Sequence, residues 1–167
     1  MNIKARARGE EGAAAVEFAL IVGVLAMLIF GMLQFGLAFF QLQNLRAATR
    51  EGARVGAVGA PVVATPPDDP ATGITGRVQQ ASGISASFGS SLVVQRVMNG
   101  TSTTVTGSTK PCADVNGVTP DAVTTSIDLT SPSLPQGLQN IFTVDIPLLP
   151  TIDLRNSQVV GEFRCES

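Results

Sequence analysis

GAAAVEFALIVGVLAMLIFGMLQFGLAFF, residues 12–40, is the stretch on which the rest of the chain depends. From Ala13 to Phe40 the only strongly polar side chains are Glu17 and Gln34, and no Pro, Lys or Arg interrupts the run. At about 1.5 Å per residue, a helix over these residues is roughly 40 Å long, enough for the ~30 Å hydrocarbon core of a bilayer and both interfaces. The run exceeds the apolar segment of a secretory signal, about 7–15 residues, and no Ala-x-Ala site closes it. A retained membrane helix is therefore expected. A carboxylate in such a helix costs about 2.5–3.5 kcal/mol at the bilayer centre and less near the interface. Glu17 sits near the mouth of the run, where the cost is smaller.

Upstream, residues 1–12 form a short polar leader, basic at Lys4, Arg6 and Arg8 and acidic at Glu10 and Glu11. Residues 13–40 are the transmembrane helix. Residues 41–60 continue it as an amphipathic extension, with Leu42, Leu45, Ala48 and Thr49 at helical spacing. Arg46, Arg50 and Arg54 form a stripe at i, i+4 and i+8. Such a stripe contacts a partner or lipid headgroups, or is simply a solvated face with snorkelling stems. Gly52, Gly56 and Gly59 weaken the helix end, and Pro61 stops it after about Ala57.

Residues 61–70, with four prolines and two Asp, read as a linker. Residues 71–167 form a strand-rich domain opened by a short helix over Ala71–Ala81. Strands are expected over Ser91–Met98, Thr101–Thr106, Thr124–Thr130, Asn140–Leu148 and Gln158–Cys165. Phe142, Val144 and Ile146 alternate with polar residues, as half-buried strands do. The Ser/Thr-rich stretch Thr101–Thr109 fits a disordered tip as well as a strand. The fold class is α+β: a long N-terminal transmembrane α-helix continuing into an amphipathic helix, then a small antiparallel extracytoplasmic domain.

The chain has 167 residues and a formal charge of -2, which offers no excess positive field for nucleic acid. It has no His, Trp or Tyr. Without His the easiest proton-transfer designs are gone, and no nucleophile–base arrangement stands out. No enzymatic activity, cofactor or metal is expected. Asp114-Val115-Asn116-Gly117, with Asp121 nearby, is too incomplete for a calcium loop, and a tight Asn-Gly turn explains it.

Cys112 and Cys165 both follow the membrane run and share its far compartment. If that compartment is oxidising they form one disulfide, closing a loop whose entropy favours the folded domain by about 4 kcal/mol. Two unrelated buried thiols are the alternative, and two distant Cys without His are too few ligands for a metal. The cations on the two sides of the helix balance, so the positive-inside rule gives no vote. The short basic leader, the small-residue junction and the cysteine pair favour a cytoplasmic N-terminus. The expected location is the cytoplasmic (inner) membrane, with the C-terminal domain exported.

Residues Gly12 to Arg54 closely resemble the TadE-like family, the pseudopilins of tight-adherence (Flp) pilus systems. The resemblance is carried by the small-residue run, Val16-Glu17-Phe18, the unbroken apolar helix, Gln34-Phe35-Gly36 and Ala47-Ala48-Thr49-Arg50-Glu51-Gly52-Ala53-Arg54. It implies cleavage by a prepilin peptidase between Gly12 and Ala13, with Glu17, beside Phe18, as the processing or assembly carboxylate. Two positions depart from the family pattern: Gln34 stands where an acid often precedes Phe-Gly, and Leu37 where a basic residue often follows.

The residues suit that chemistry. Ala13, Ala14 and Ala15 have no bulk, so an extended segment of them fits a peptidase cleft. Cleavage would create an ammonium at Ala13, one helical turn from Glu17, and a carboxylate there is stabilised by that cation or a neighbouring subunit's and by its own helix dipole. A carboxylate resting in the headgroups without a partner is the plain alternative. Gly23, Gly31 and Gly36 do not form Gly-x-x-x-Gly and fit ordinary membrane-helix usage.

The resemblance implies a prepilin peptidase, other pilins or pseudopilins and an inner-membrane assembly platform as partners, alongside the lipid bilayer. The competing expectation is an unprocessed single-pass protein whose exported domain binds a ligand or another envelope protein.

Overall fold

The computed structural model describes residues 4–64, 72–144, 152–153, 155 and 158–166. It separates into two compact units, Met1–Leu37 and Ala38–Ser167. Helix α1, Lys4–Ala57, runs through both.

In the first unit, large apolar side chains from Val16 to Leu37 are exposed all round the helix, from Phe35 at 38% to Met32 at 73%. Each such side chain gains about 1.5–3 kcal/mol when removed from water, so together they favour an apolar environment by several tens of kcal/mol. That outweighs the few kcal/mol of Glu17 by an order of magnitude. The helix is long and apolar enough to cross a membrane.

The second unit is an antiparallel sheet covered on one face by helices. After α1 come α2 (Ile74–Ser82), a 3-10 turn (Gly89–Ser91), β1 (Leu92–Met98), β2 (Thr101–Val105), β3 (Ala122–Asp128), α3 (Gln136–Phe142), β4 (Thr143–Val144), β5 (Ile152–Asp153) and β6 (Gln158–Arg164). The main sheet has the order β2-β1-β3-β6, and β4 pairs with β5 separately. The β1–β2 hairpin turns at Asn99 and Gly100, both at positive φ, the conformation a two-residue hairpin of matching twist demands. Register places Gly161, Thr125, Val94 and Val105 in one row across all four strands. Val159, Ile127 and Leu92 form the next row, and Phe163, Val123 and Arg96 the one beyond.

The helices lie over that face. Ala38, Leu45, Ala48, Thr49, Ala53 and Ala57 of α1 are buried, with Leu42 packed alongside. The helix end is fixed by Gly59, whose positive φ lets its N–H reach Gly56 while the Ala60 N–H reaches Val55. Segment Pro61–Ala64 is bonded into the unit: the Val62 and Val63 amides donate to Thr109 and Gly107, and Pro61 and Val62 accept from Ile74 and Thr75. The rest of the stretch expected as a linker, residues 65–70, lies outside the described residues.

The expected strand over Asn140–Leu148 is corrected. Asn140–Phe142 close helix α3, the strand there is Thr143–Val144, and Ile146 and Leu148 lie outside the described residues. Leu138 and Phe142 stand one helical turn apart and are each 2% exposed, and the Pro135 carbonyl accepts the first helical bonds. Over so short a run, period 2 and period 3.6 both fit, and burial of that pair decides for the helix. The Ser/Thr-rich stretch is strand over Thr101–Val105, exposed except at Val105.

Candidate functional site

Gly12, Ala13, Glu17 and Phe18 all lie within α1, exposed, with Ala13 and Glu17 one turn apart on the same side. The small residues are therefore helical in the free chain, not extended, and the Gly12–Ala13 bond sits in unbroken helix. A protease acting there has to unwind it locally. Gly12 is the soft point, since glycine in a helix costs about 1 kcal/mol relative to alanine. A Cβ at Gly12 would meet nothing within 4 Å, so packing within this chain gives no reason for a glycine there. Gly23, Gly31 and Gly36 are equally open. Glu17 has no ion-pair partner among the described residues.

The glycines further along behave differently. A Cβ on Gly52 would strike Val78 Cγ2 and lie 3.3 Å from Thr125 Cγ2, and one on Gly56 would lie 2.8 Å from Ile74 Cδ1 and 3.3 Å from Val123. Gly56 beside Val123 and Gly52 beside Thr125 show that α1 and β3 run in opposite directions. From the sheet side, a Cβ on Gly161 would lie 2.5–2.6 Å from the backbone of Thr49 and Arg50. The helix thus rests its own backbone on β6 at the one place in the row that carries no side chain. Gly52 and Gly56, read from sequence as weak points of the helix end, are contact points. Their spacing with Leu45 and Thr49 (45, 49, 52, 56) is the signal that marks them as part of the buried face.

The Arg stripe is open to solvent. Arg46, Arg50 and Arg54 are exposed. Arg54 makes a two-pronged pair with Glu51, 2.9 Å on each arm. Glu51 is held below its usual carboxylate range, chiefly by the hydrogen bond from Arg54.

Cys112 and Cys165 form a disulfide, with Cα atoms 5.5 Å apart and a sequence separation of 53. It ties the long connection after β2 to the end of β6. The neighbouring backbone joins in, since the Cys165 N–H donates to Asp121 and the Glu166 N–H to Ala57, the last residue of α1. The Asp114–Asp121 stretch is a turn: Asn116 and Gly117 have positive φ, and Val115 and Val118 bridge across them. Asp114 accepts from the Thr119 hydroxyl and Asp121 from the Asn99 N–H, each at 2.7 Å. Among the described residues no three His, Cys, Asp or Glu are grouped to hold a metal.

No curated protein and no solved structure matches the chain. Residues 12–54 match the family model described as TadE-like protein, so from the glycine junction to the last arginine of the stripe the chain is similar to TadE-like proteins.

Proposed function

We propose that this chain is a minor pilin or pseudopilin of a tight-adherence (Flp) pilus system, a non-enzymatic component that works by helix association. A prepilin peptidase removes Met1–Gly12, leaving Ala13 as the new N-terminus. The apolar helix anchors the protein in the inner membrane, with the disulfide-tied sheet domain outside the cytoplasm. Glu17 then pairs with an N-terminal ammonium, its own or that of a neighbouring pilin, and sets the axial register of packed helices. Other pilins or pseudopilins and the inner-membrane assembly platform are its partners.

One observation carries this proposal: the family match begins at Gly12, where α1 passes from its polar leader into an apolar run whose large side chains from Val16 to Leu37 are exposed among the described residues. A carboxylate at Glu17, one turn from Ala13, gives a new terminus there something to bind. The unbroken helix across Gly12–Ala13 favours the second proposal, an unprocessed single-pass protein whose exported domain engages another envelope component.

The N-terminal sequence and intact mass of the protein from its native membrane separate the two. A chain beginning at Ala13, with the leader retained in Gly12→Ala, is expected. Glu17→Ala then shows whether the acid serves cleavage or later assembly. A wild-type chain that keeps Met1–Gly12 while the peptidase is present overturns processing and leaves the anchored domain.

A further inference from the structure

Phe39, Gln43, Arg46 and Arg50 follow one another at spacings of four, three and four, so they lie in one row along α1. All four are exposed, Phe39 at 63%, while Leu45 and Thr49 beside the row are fully buried in the sheet domain. Along that row the side chains change from aromatic to amide to cation. Arg54, beyond it, is neutralised by Glu51. Arg46 and Arg50 have no ion pair among the described residues. Like charges one turn apart repel, so the pair is a two-cation site that lacks an anion.

We propose that Arg46 and Arg50 bind the phosphates of anionic lipid headgroups, with Arg46 as the direct contact. The proposal rests on the membrane anchoring of the apolar run put forward above. Helical side chains lean toward the N-terminus, here toward the apolar run, and a long arginine stem snorkels further in that direction. Arg46 is about 10 Å along the axis from Phe39, and the interfacial layer is on the order of 6 Å thick. A swept-back guanidinium at Arg46 therefore reaches the phosphates. Arg50 starts about 6 Å further out, about one turn. It acts through the surface potential, which decays over ~8 Å at physiological salt.

The test is native mass spectrometry of the full-length chain released from nanodiscs of mixed phosphatidylglycerol and phosphatidylcholine. Wild type is expected to carry phosphatidylglycerol in excess. Arg46→Gln lowers that enrichment roughly fivefold and Arg50→Gln about twofold, while Arg54→Gln, already paired, changes it least. Lys4, Arg6 and Arg8 contribute equally to every variant, and an unchanged narrow charge-state distribution shows that the exposed substitutions leave the fold intact. A double variant, R46Q with R50Q, that keeps the wild-type enrichment overturns the proposal. The same holds if these arginines instead retain an acidic protein while lipid retention is unaffected. A chain that does not enter nanodiscs at all overturns the anchoring itself, and the lipid contact with it.

Discussion

Gly161→Ala adds one methyl group at the point where helix and sheet touch most closely. Its carbon would lie 2.5 Å from the Thr49 carbonyl carbon and 2.6 Å from the Thr49 oxygen and the Arg50 nitrogen. Those atoms belong to a helix backbone, so relief requires moving α1 by roughly 1 Å rather than turning a side chain. Overpacking costs about 1–3 kcal/mol, here the upper end because backbone has to move, and the gain from replacing a flexible glycine offsets up to about 1 kcal/mol. The net loss is about 2 kcal/mol. Hydrogen exchange of the full-length protein in detergent reads this directly, with amides of β3 and β6 exchanging about thirtyfold faster through global opening. Gly137→Ala is the control. It lies in α3 with nothing within 4 Å, so there the same substitution stabilises by about 0.5–1 kcal/mol and slows exchange. Gly161→Ala protected as well as wild type would refute the seating of α1 on β6.

Three further outcomes follow from local features. Thr125 is fully buried, and its hydroxyl has no hydrogen-bond partner among the described residues; Thr125→Val is expected to stabilise by about 1 kcal/mol in a thermal melt, and a loss would mean the hydroxyl is bonded. Replacing Cys112 and Cys165 together by Ser costs about 2–5 kcal/mol and frees the end of β6, where exchange should rise first; unchanged protection there would show that backbone bonds suffice. The Arg155 side chain, with its amide, holds the exposed Asp153 carboxyl down to about 2. Because its folded pKa is depressed, its contribution to stability is present above the ordinary carboxylate range and lost as pH falls through about 2. An NMR titration should place Asp153 near 2 and show it rising in Arg155→Gln; a midpoint in the ordinary range in wild type rules the pair out.

How much of this was legible beforehand depends on the residue. That α1 runs unbroken from the apolar residues to Ala57 followed from the absence of a breaker and from Gly59 and Pro61, whose chemistry is local, while its start at Lys4, within the expected leader, did not. Four of the expected strands were readable because β-branched runs were separated by turn residues, and Asn99-Gly100 marks its hairpin unaided. Phe142 was misassigned because its spacing to Val144 and to Leu138 fits two periods, and only burial in the assembled core chooses between them. Gly161 was not readable at all. A glycine in a strand looks like a weakness until the helix that needs the gap is in place. At the candidate site, Gly12, Ala13 and Glu17 were singled out by pattern alone, and the fold adds that their segment is helical and exposed among the described residues.

The matched segment ends at Arg54, and the structure gives that boundary a physical meaning. Ala48, Thr49, Gly52 and Ala53 are buried against the sheet domain, while Arg46, Arg50 and Arg54, interleaved with them, are exposed. One short stretch therefore meets two demands. The inward positions must be small, because Gly161 admits only helix backbone and Gly52 has no room beside Val78. The outward positions are under no such limit and carry the longest cations available. The segment similar to TadE-like proteins thus reaches past the membrane run to include the docking face. A substitution such as Gly52→Leu would disturb the sheet domain while leaving Gly12, Ala13 and Glu17, the residues proposed for processing, untouched. Cleavage at Gly12 with loss of the folded domain in that variant would show that the two ends of α1 serve separable tasks.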